Sequence, residues 1–284
     1  MCPPHDHATP PLDQPVGSSG QRRLASCEQD SATLTDSADQ HDPYHETVIG
    51  ESATPVIVSF PLRGDGWVAI TSPADRIPSH GTDLLGQRYA FDFLRTDGRR
   101  GGHYHRAGWA RTLLVGVPSR ECYAWGAPVL APFDGEVVRT VDGIAERGRV
   151  HPLREAVLVL KNALTFTPAR LPAIMGNHVV MRRGDVFAGF AHLAPGSIAV
   201  REGQQVRLGQ VIGRVGHTGN STSPHLHFQL MDAMDPLTAR GVPCAFESYE
   251  VLRGDAWVVV NGGAPSRTDR IRVVGPAAGR VDAA

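Results

Sequence analysis

Apolar positions along the chain come in short runs broken by glycine and turn residues, and the spacing inside the runs is that of strands. From about Pro55, PVIVSFPL and WVAIT are two β-rich runs separated by Arg63-Gly64-Asp65-Gly66, which predicts a hairpin. A polar loop, IPSHGTDLLG, leads into residues 87–93. There Arg88, Ala90 and Asp92 share one face and Tyr89, Phe91 and Phe93 the other, so the aromatic face is core and Asp92 looks outward. AWGAPVLAPFDGEVVRTV, from Ala124, predicts strand, turn at Asp134-Gly135, and strand. GNHVVMRRGDVFAGFAHL predicts a hairpin turning at Arg183-Gly184-Asp185. Short strands kinked at glycines follow at 206–209, 211–213 and 215–216, and PCAFESYEVL and AWVVVNG supply two more.

Helical periodicity is nearly absent from this reading. Residues 142–172 form a long insertion, in which AVLVL at 156–160 is expected to be a buried strand. The expected fold is mainly β: a compact antiparallel β-sandwich or barrel-like domain with a groove lined by histidines, preceded by a disordered N-terminal tail. The tail covers residues 1–50, rich in Pro, Ser, Asp, Gln and Thr with Tyr44 its only aromatic, and 51–284 form a single β-rich domain.

Charge sharpens that division. The tail holds eight acidic and two basic residues, leaving 26 basic and 21 acidic residues in the body. A body charge this small, without a Lys/Arg cluster, gives no footprint for nucleic acid and does not repel an anionic wall polymer. Cys2, Cys27, Cys122 and Cys244 form no C-x-x-C pair, so neither a disulfide framework nor a cysteine zinc site is expected. Cys2, His5 and His7 are an incidental cluster in a tail. The first 30 residues hold no apolar run of seven and no run spans a bilayer, which predicts a cytoplasmic protein with no membrane span. The location becomes extracytoplasmic, at the cell wall, if the assigned start is wrong or export is non-standard.

The chemistry concentrates in residues 184–230. His225-Leu226-His227 lies on a strand, so both imidazoles share a face while Leu226 turns inward. His192, in Phe190-Ala191-His192-Leu193, is a third imidazole in a strand-like setting. Imidazoles suit zinc, and a catalytic zinc site uses three protein ligands and leaves a fourth position for water. A second His-x-His, His103-Tyr104-His105, sits in Gly- and Arg-rich surroundings and is read as solvated loop.

GNHVV, FAGFAHL, VREGQQVRLGQVIGRVGHTGNSTSPHLHF and, before them, APVLAPFDGEVV resemble the core of the lysostaphin-type zinc metallopeptidases, across residues 86–232. The resemblance implies a Zn²⁺-dependent endopeptidase that hydrolyses peptide bonds in peptidoglycan cross-links or a similar peptide. It places zinc ligation on Asp92 and His227, and the unligated catalytic pair on His192 and His225. Bound zinc lowers the pKa of water from about 15.7 towards 7, and two free imidazoles can orient that water and take its proton.

One position departs from the pattern. The family's first ligand, four residues before the aspartate, is here Arg88, a fixed cation that cannot bind zinc. Either another histidine supplies the third ligand, with His80 on the preceding loop as the candidate, or the site is degenerate and the domain is a non-catalytic cell-wall binding or regulatory module. EGQQVRLGQVIGRV also resembles the hairpin of biotinyl and lipoyl carriers, but the sole lysine, Lys161, lies outside it.

Overall fold

Runs of alternating apolar residues close into strands at intervals along residues 54–98 and 102–274, the residues described by the computed structural model. The strands are β1 (Val56–Val58), β2 (Gly64–Thr71), β3 (Phe91–Arg95), β4 (Val117–Pro118), β5 (Pro128–Leu130), β6 (Gly135–Val141), β7 (Arg149–Val150) and β8 (Asn177–Arg183). They continue with β9 (Val186–Leu193), β10 (Gln205–Val206), β11 (Val211–Arg214), β12 (Leu226–Met231), β13 (Gly241–Val242), β14 (Cys244–Arg253), β15 (Ala256–Gly263) and β16 (Ile271–Val273). Twelve of them make one sheet with the path β1-β14-β16-β2-β3-β12-β9-β8-β6-β10, while β13 joins β12 and β15 joins β14. The pairs β5-β11 and β4-β7 form two small sheets beside it.

The mainly β class expected from the pattern is the one observed. The hairpin around Gly184 forms with Arg183 opposite Val186, and β14 and β15 pair from Phe246 against Gly263 to Arg253 against Ala256. The sheet is not wholly antiparallel, because β1 runs parallel to β14 with Val56 opposite Cys244. That pairing also removes the hairpin expected between 55 and 71: β2 pairs with β3 and β16 instead. The residues between the runs let β1 reach a distant strand, a choice that local turn chemistry does not encode.

Residues 142–172 depart most from expectation. AVLVL is not a buried strand; it lies inside a helix, α2 (Pro152–Leu164), which starts with proline in its first turn, where the missing N–H costs nothing. Two further helices, α1 (Trp109–Leu114) and α3 (Leu171–Met175), add to the correction. The helical period is present in the sequence, but its polar members, Glu155 and Asn162, are the buried ones. A search for buried apolar faces therefore reads it backwards. His105 is likewise buried rather than solvated and bridges to Cys122, while His103 is exposed.

The core gathers Phe60, Phe91, Phe93, Phe190, Phe228, Phe246 and Tyr249 between the main sheet and its flanking strands. Ring centroids there lie 4.4 Å apart for Phe60 and Phe246 and 5.4 Å for Phe190 and Phe228. Burying each such ring stabilises the fold by about 1.5–3 kcal/mol. Because β3 and β12 each give alternate residues to this core, their remaining residues are fixed on the opposite face. The 1–50 tail lies outside the described residues.

Candidate metal centre

Strand register assembles the centre. β12 lies in the interior of the sheet with β3 on one side and β9 on the other, and His227 stands directly opposite both Asp92 and Ala191. Leu226, Phe228 and Leu230 enter the core, so His227, Gln229 and Met231 face a cleft of about 410 Å³. On β9, Ala188 and Phe190 are core and alternation would send residue 192 after them. Instead His192 takes a left-handed φ of 65°, which turns its ring into the cleft and lets Leu193 rejoin the core.

The loop between β2 and β3 brings His80 to the same point. Its Nε2 is 3.0 Å from Asp92 Oδ2, and His227 Nδ1 is 2.9 Å from Asp92 Oδ1. The candidate ligand atoms of His80, Asp92 and His227 all lie within 4.8 Å of one another. Arg88 does not enter. Its guanidinium donates to Asp83 Oδ1 at 2.5 Å and to the Tyr89 hydroxyl at 3.2 Å. Its backbone carbonyl accepts from the Ser79 amide at 2.9 Å, so the residue at the departed ligand position helps to hold the loop that carries His80.

Counting protons shows what these three groups fit. The Ser79 hydroxyl donates to the Gln87 carbonyl and so accepts from His80 Nδ1. The Gln229 amide donates to the Leu85 carbonyl, which turns its oxygen to accept from His227 Nε2 at 2.7 Å. Each ring carries its proton on the outer nitrogen. The inner nitrogen, facing the carboxylate, then has a lone pair to lend to a cation. Two imidazole nitrogens and a carboxylate oxygen converging in this way suit zinc in number and type, with outer partners already fixing the tautomers.

His225 and His192 stand beside this trio. His225 Nε2 is 3.5 Å from Asp92 Oδ1, and its Nδ1 donates to the Ser223 carbonyl at 2.7 Å. His192 Nδ1 donates to the Thr218 carbonyl at 3.0 Å, and its ring centroid lies 4.9 Å from that of His225. Burial opposes the charge of Asp92, but the His80 and His225 imidazoles and the hydrogen bonds of His225 and His227 hold its carboxyl well below the usual range. Burial, with His225 and His227 nearby, drives His192 well below an ordinary histidine, so it stays neutral. Burial also opposes the charge of His225, yet the Asp92 carboxylate lifts it. The two rings are thus pushed apart in basicity.

Behind His225 lies a network the sequence reading missed. Glu155 on α2 pairs with Arg147 at 3.0 Å, and Arg147 donates to the carbonyls of Gly219 at 2.7 Å and Ser221 at 2.5 Å. Asn162 donates to Asn220 in the same loop. His217 Nδ1 meets the Ser221 hydroxyl at 3.0 Å, and that hydroxyl is 3.2 Å from His225 Nδ1. The only sequence signal was the pairing of Glu155 and Asn162 seven residues apart, on one side of a helix that was not recognised. The loop itself is tight. Gly219 has φ 67°, and a Cβ there would fall on the Ile174 carbonyl oxygen and 2.5 Å from the Gly176 nitrogen. Gly219→Ala is expected to cost at least about 2 kcal/mol in urea unfolding, from left-handed strain plus this overlap.

A mainly β sheet thus carries a histidine–carboxylate centre in a cleft. Residues 122–239 match the family model of peptidase family M23. Asp92 and His80 lie N-terminal to the matched segment; the register of β3 and β12 brings Asp92 to it and the loop before β3 brings His80. Over 65 residues the chain is 42% identical to the peptidoglycan DD-endopeptidase ShyA of Vibrio cholerae and 38% identical to ShyB of the same organism. Each match covers 22% of this chain and 15% of the relative, so the chain matches a small part of those proteins' length. Among solved structures it is similar to the catalytic domain of the antimicrobial peptidase lysostaphin from Staphylococcus simulans, at 22% identity. That likeness covers 48% of this chain and 94% of the other, with a TM-score of 0.28.

Proposed function

We propose that the protein is a zinc-dependent endopeptidase that hydrolyses peptide bonds of peptidoglycan and acts outside the cytoplasm. The observation that carries this reading is the convergence of His80 Nε2, Asp92 and His227 Nδ1, with both rings held in the tautomer that aims a lone pair at the common point. Zinc held there would supply Lewis-acid polarisation of a carbonyl and a water acidic enough to react near neutrality. His192, neutral and with its proton fixed on Nδ1, offers Nε2 to accept a proton from the attacking water. His225, its ring 4.9 Å from that of His192, is placed to hydrogen-bond the developing oxyanion. Leu85, Met231, Val159, Ile174 and Met175 line the cleft with apolar surface. The match of residues 122–239 to family M23 and the similarity to peptidoglycan endopeptidases support the substrate class.

The test is incubation of the zinc-loaded protein with purified peptidoglycan, with released fragments read by mass spectrometry. His192→Ala and His225→Ala are each expected to lower cleavage by about 10²- to 10⁴-fold while zinc content stays at the wild-type level. Zinc-loaded wild type that binds peptidoglycan without cleaving it would overturn the catalytic reading and leave the alternative raised by Arg88, a wall-binding module.

A further inference from the structure

Helix α2 turns its apolar residues outward. Leu153, Val157, Leu160 and Leu164, spaced four, three and four apart, fall on one face. They are 68%, 66%, 60% and 77% exposed, whereas Glu155 and Asn162 on the opposite face are buried against the loop before His225. Helix α1, which contacts α2, repeats the inversion: it buries Thr112 and exposes Leu113, followed by Leu114 at 81% and Val115 at 57%. Soluble monomers seldom leave an apolar surface of this kind unpartnered.

Charge decides what it fits. Arg154 and Lys161 each follow a stripe leucine and lie together on one flank of α2, and neither side chain has a hydrogen bond or ion pair among the described residues. The other flank carries Ala156 and Ala163. The only acid on the two helices is Glu155, which is buried and paired with Arg147. A second copy packed antiparallel would set the cationic flanks against each other, and packed parallel would set them against alanines; neither supplies an anion. These side chains protrude from the helix. We propose that α1 and α2 form a docking face for an anionic lipid surface, with the leucines entering the acyl boundary and Arg154 and Lys161 meeting the headgroups.

The experiment is co-sedimentation of the full chain with equimolar phosphatidylglycerol and phosphatidylcholine vesicles, against phosphatidylcholine vesicles alone, at about 0.1 M salt. Selective binding to the anionic vesicles is expected. Val157→Asp and Leu160→Asp should each weaken it about tenfold or more, since an acid replaces a side chain buried at the interface. Arg154→Glu and Lys161→Glu should weaken it roughly fivefold or more apiece. All four positions are exposed, and unchanged circular dichroism checks that each variant folds. Three results would overturn the proposal: no binding to anionic vesicles, binding indifferent to lipid charge or to the stripe, or a dimer in light scattering that Leu160→Asp dissolves. None of these readouts depends on peptidase activity.

Discussion

His80→Ala is expected to lower zinc affinity by about two orders of magnitude or more and to remove activity with it. The wild-type chain should carry about one zinc by elemental analysis. Asp92 and His227 remain in His80→Ala on neighbouring strands, but two ligands do not complete a zinc site that needs three protein donors. Ser79→Ala tests the same geometry from outside: it leaves His80 but removes the acceptor that fixes its tautomer, and a loss of about 10- to 100-fold in affinity is expected. Arg88→Ala gives the contrasting result. Its side chain is turned to Asp83 and Tyr89, so zinc content should be unchanged. Full zinc occupancy in His80→Ala would remove His80 from the ligand set and with it the explanation of how the centre tolerates Arg88.

Glu155→Ala is expected to destabilise the fold by about 1–3 kcal/mol in urea unfolding, because it removes the carboxylate paired with the partly buried guanidinium of Arg147. The acid is almost wholly enclosed, and one of its oxygens sits 3.6 Å from His217 Nε2, both atoms lacking a hydrogen-bond partner among the described residues. Glu155→Gln keeps the shape and should cost less. Replacing both Glu155 and Arg147 by apolar residues should recover part of the loss while leaving the Gly219 and Ser221 carbonyls without their donor. A Glu155→Ala protein as stable as wild type would show that the pair contributes no net stability.

Much of the sheet was legible because strand alternation is written locally. Phe91 and Phe93 turned one way and Asp92 the other, Leu226 went inward between two histidines, and Gly184-Asp185 closed its hairpin. The long-range choices were not legible. Nothing around Val56 announces a parallel partner near Cys244, and the helix carrying Glu155 was hidden because its exposed side is the apolar one. The sequence named His80 as a candidate from its place on the loop into β3; the structure sets it 3.0 Å from Asp92. What the sequence could not supply was the reason the loop stays there, which lies in Ser79 and the Arg88 carbonyl. His192 was found by its motif, but its left-handed backbone has no signature in an Ala-His-Leu triplet.

The unequal mounting of the three candidate ligands has a kinetic consequence. Asp92 and His227 sit on adjacent interior strands and move only when the sheet opens, whereas His80 rides on a loop tied down by a few hydrogen bonds. Loop excursions need far less free energy than sheet opening. A cation held by all three would therefore exchange through the His80 side, so its residence time would follow how firmly Ser79 is anchored rather than how stable the whole domain is.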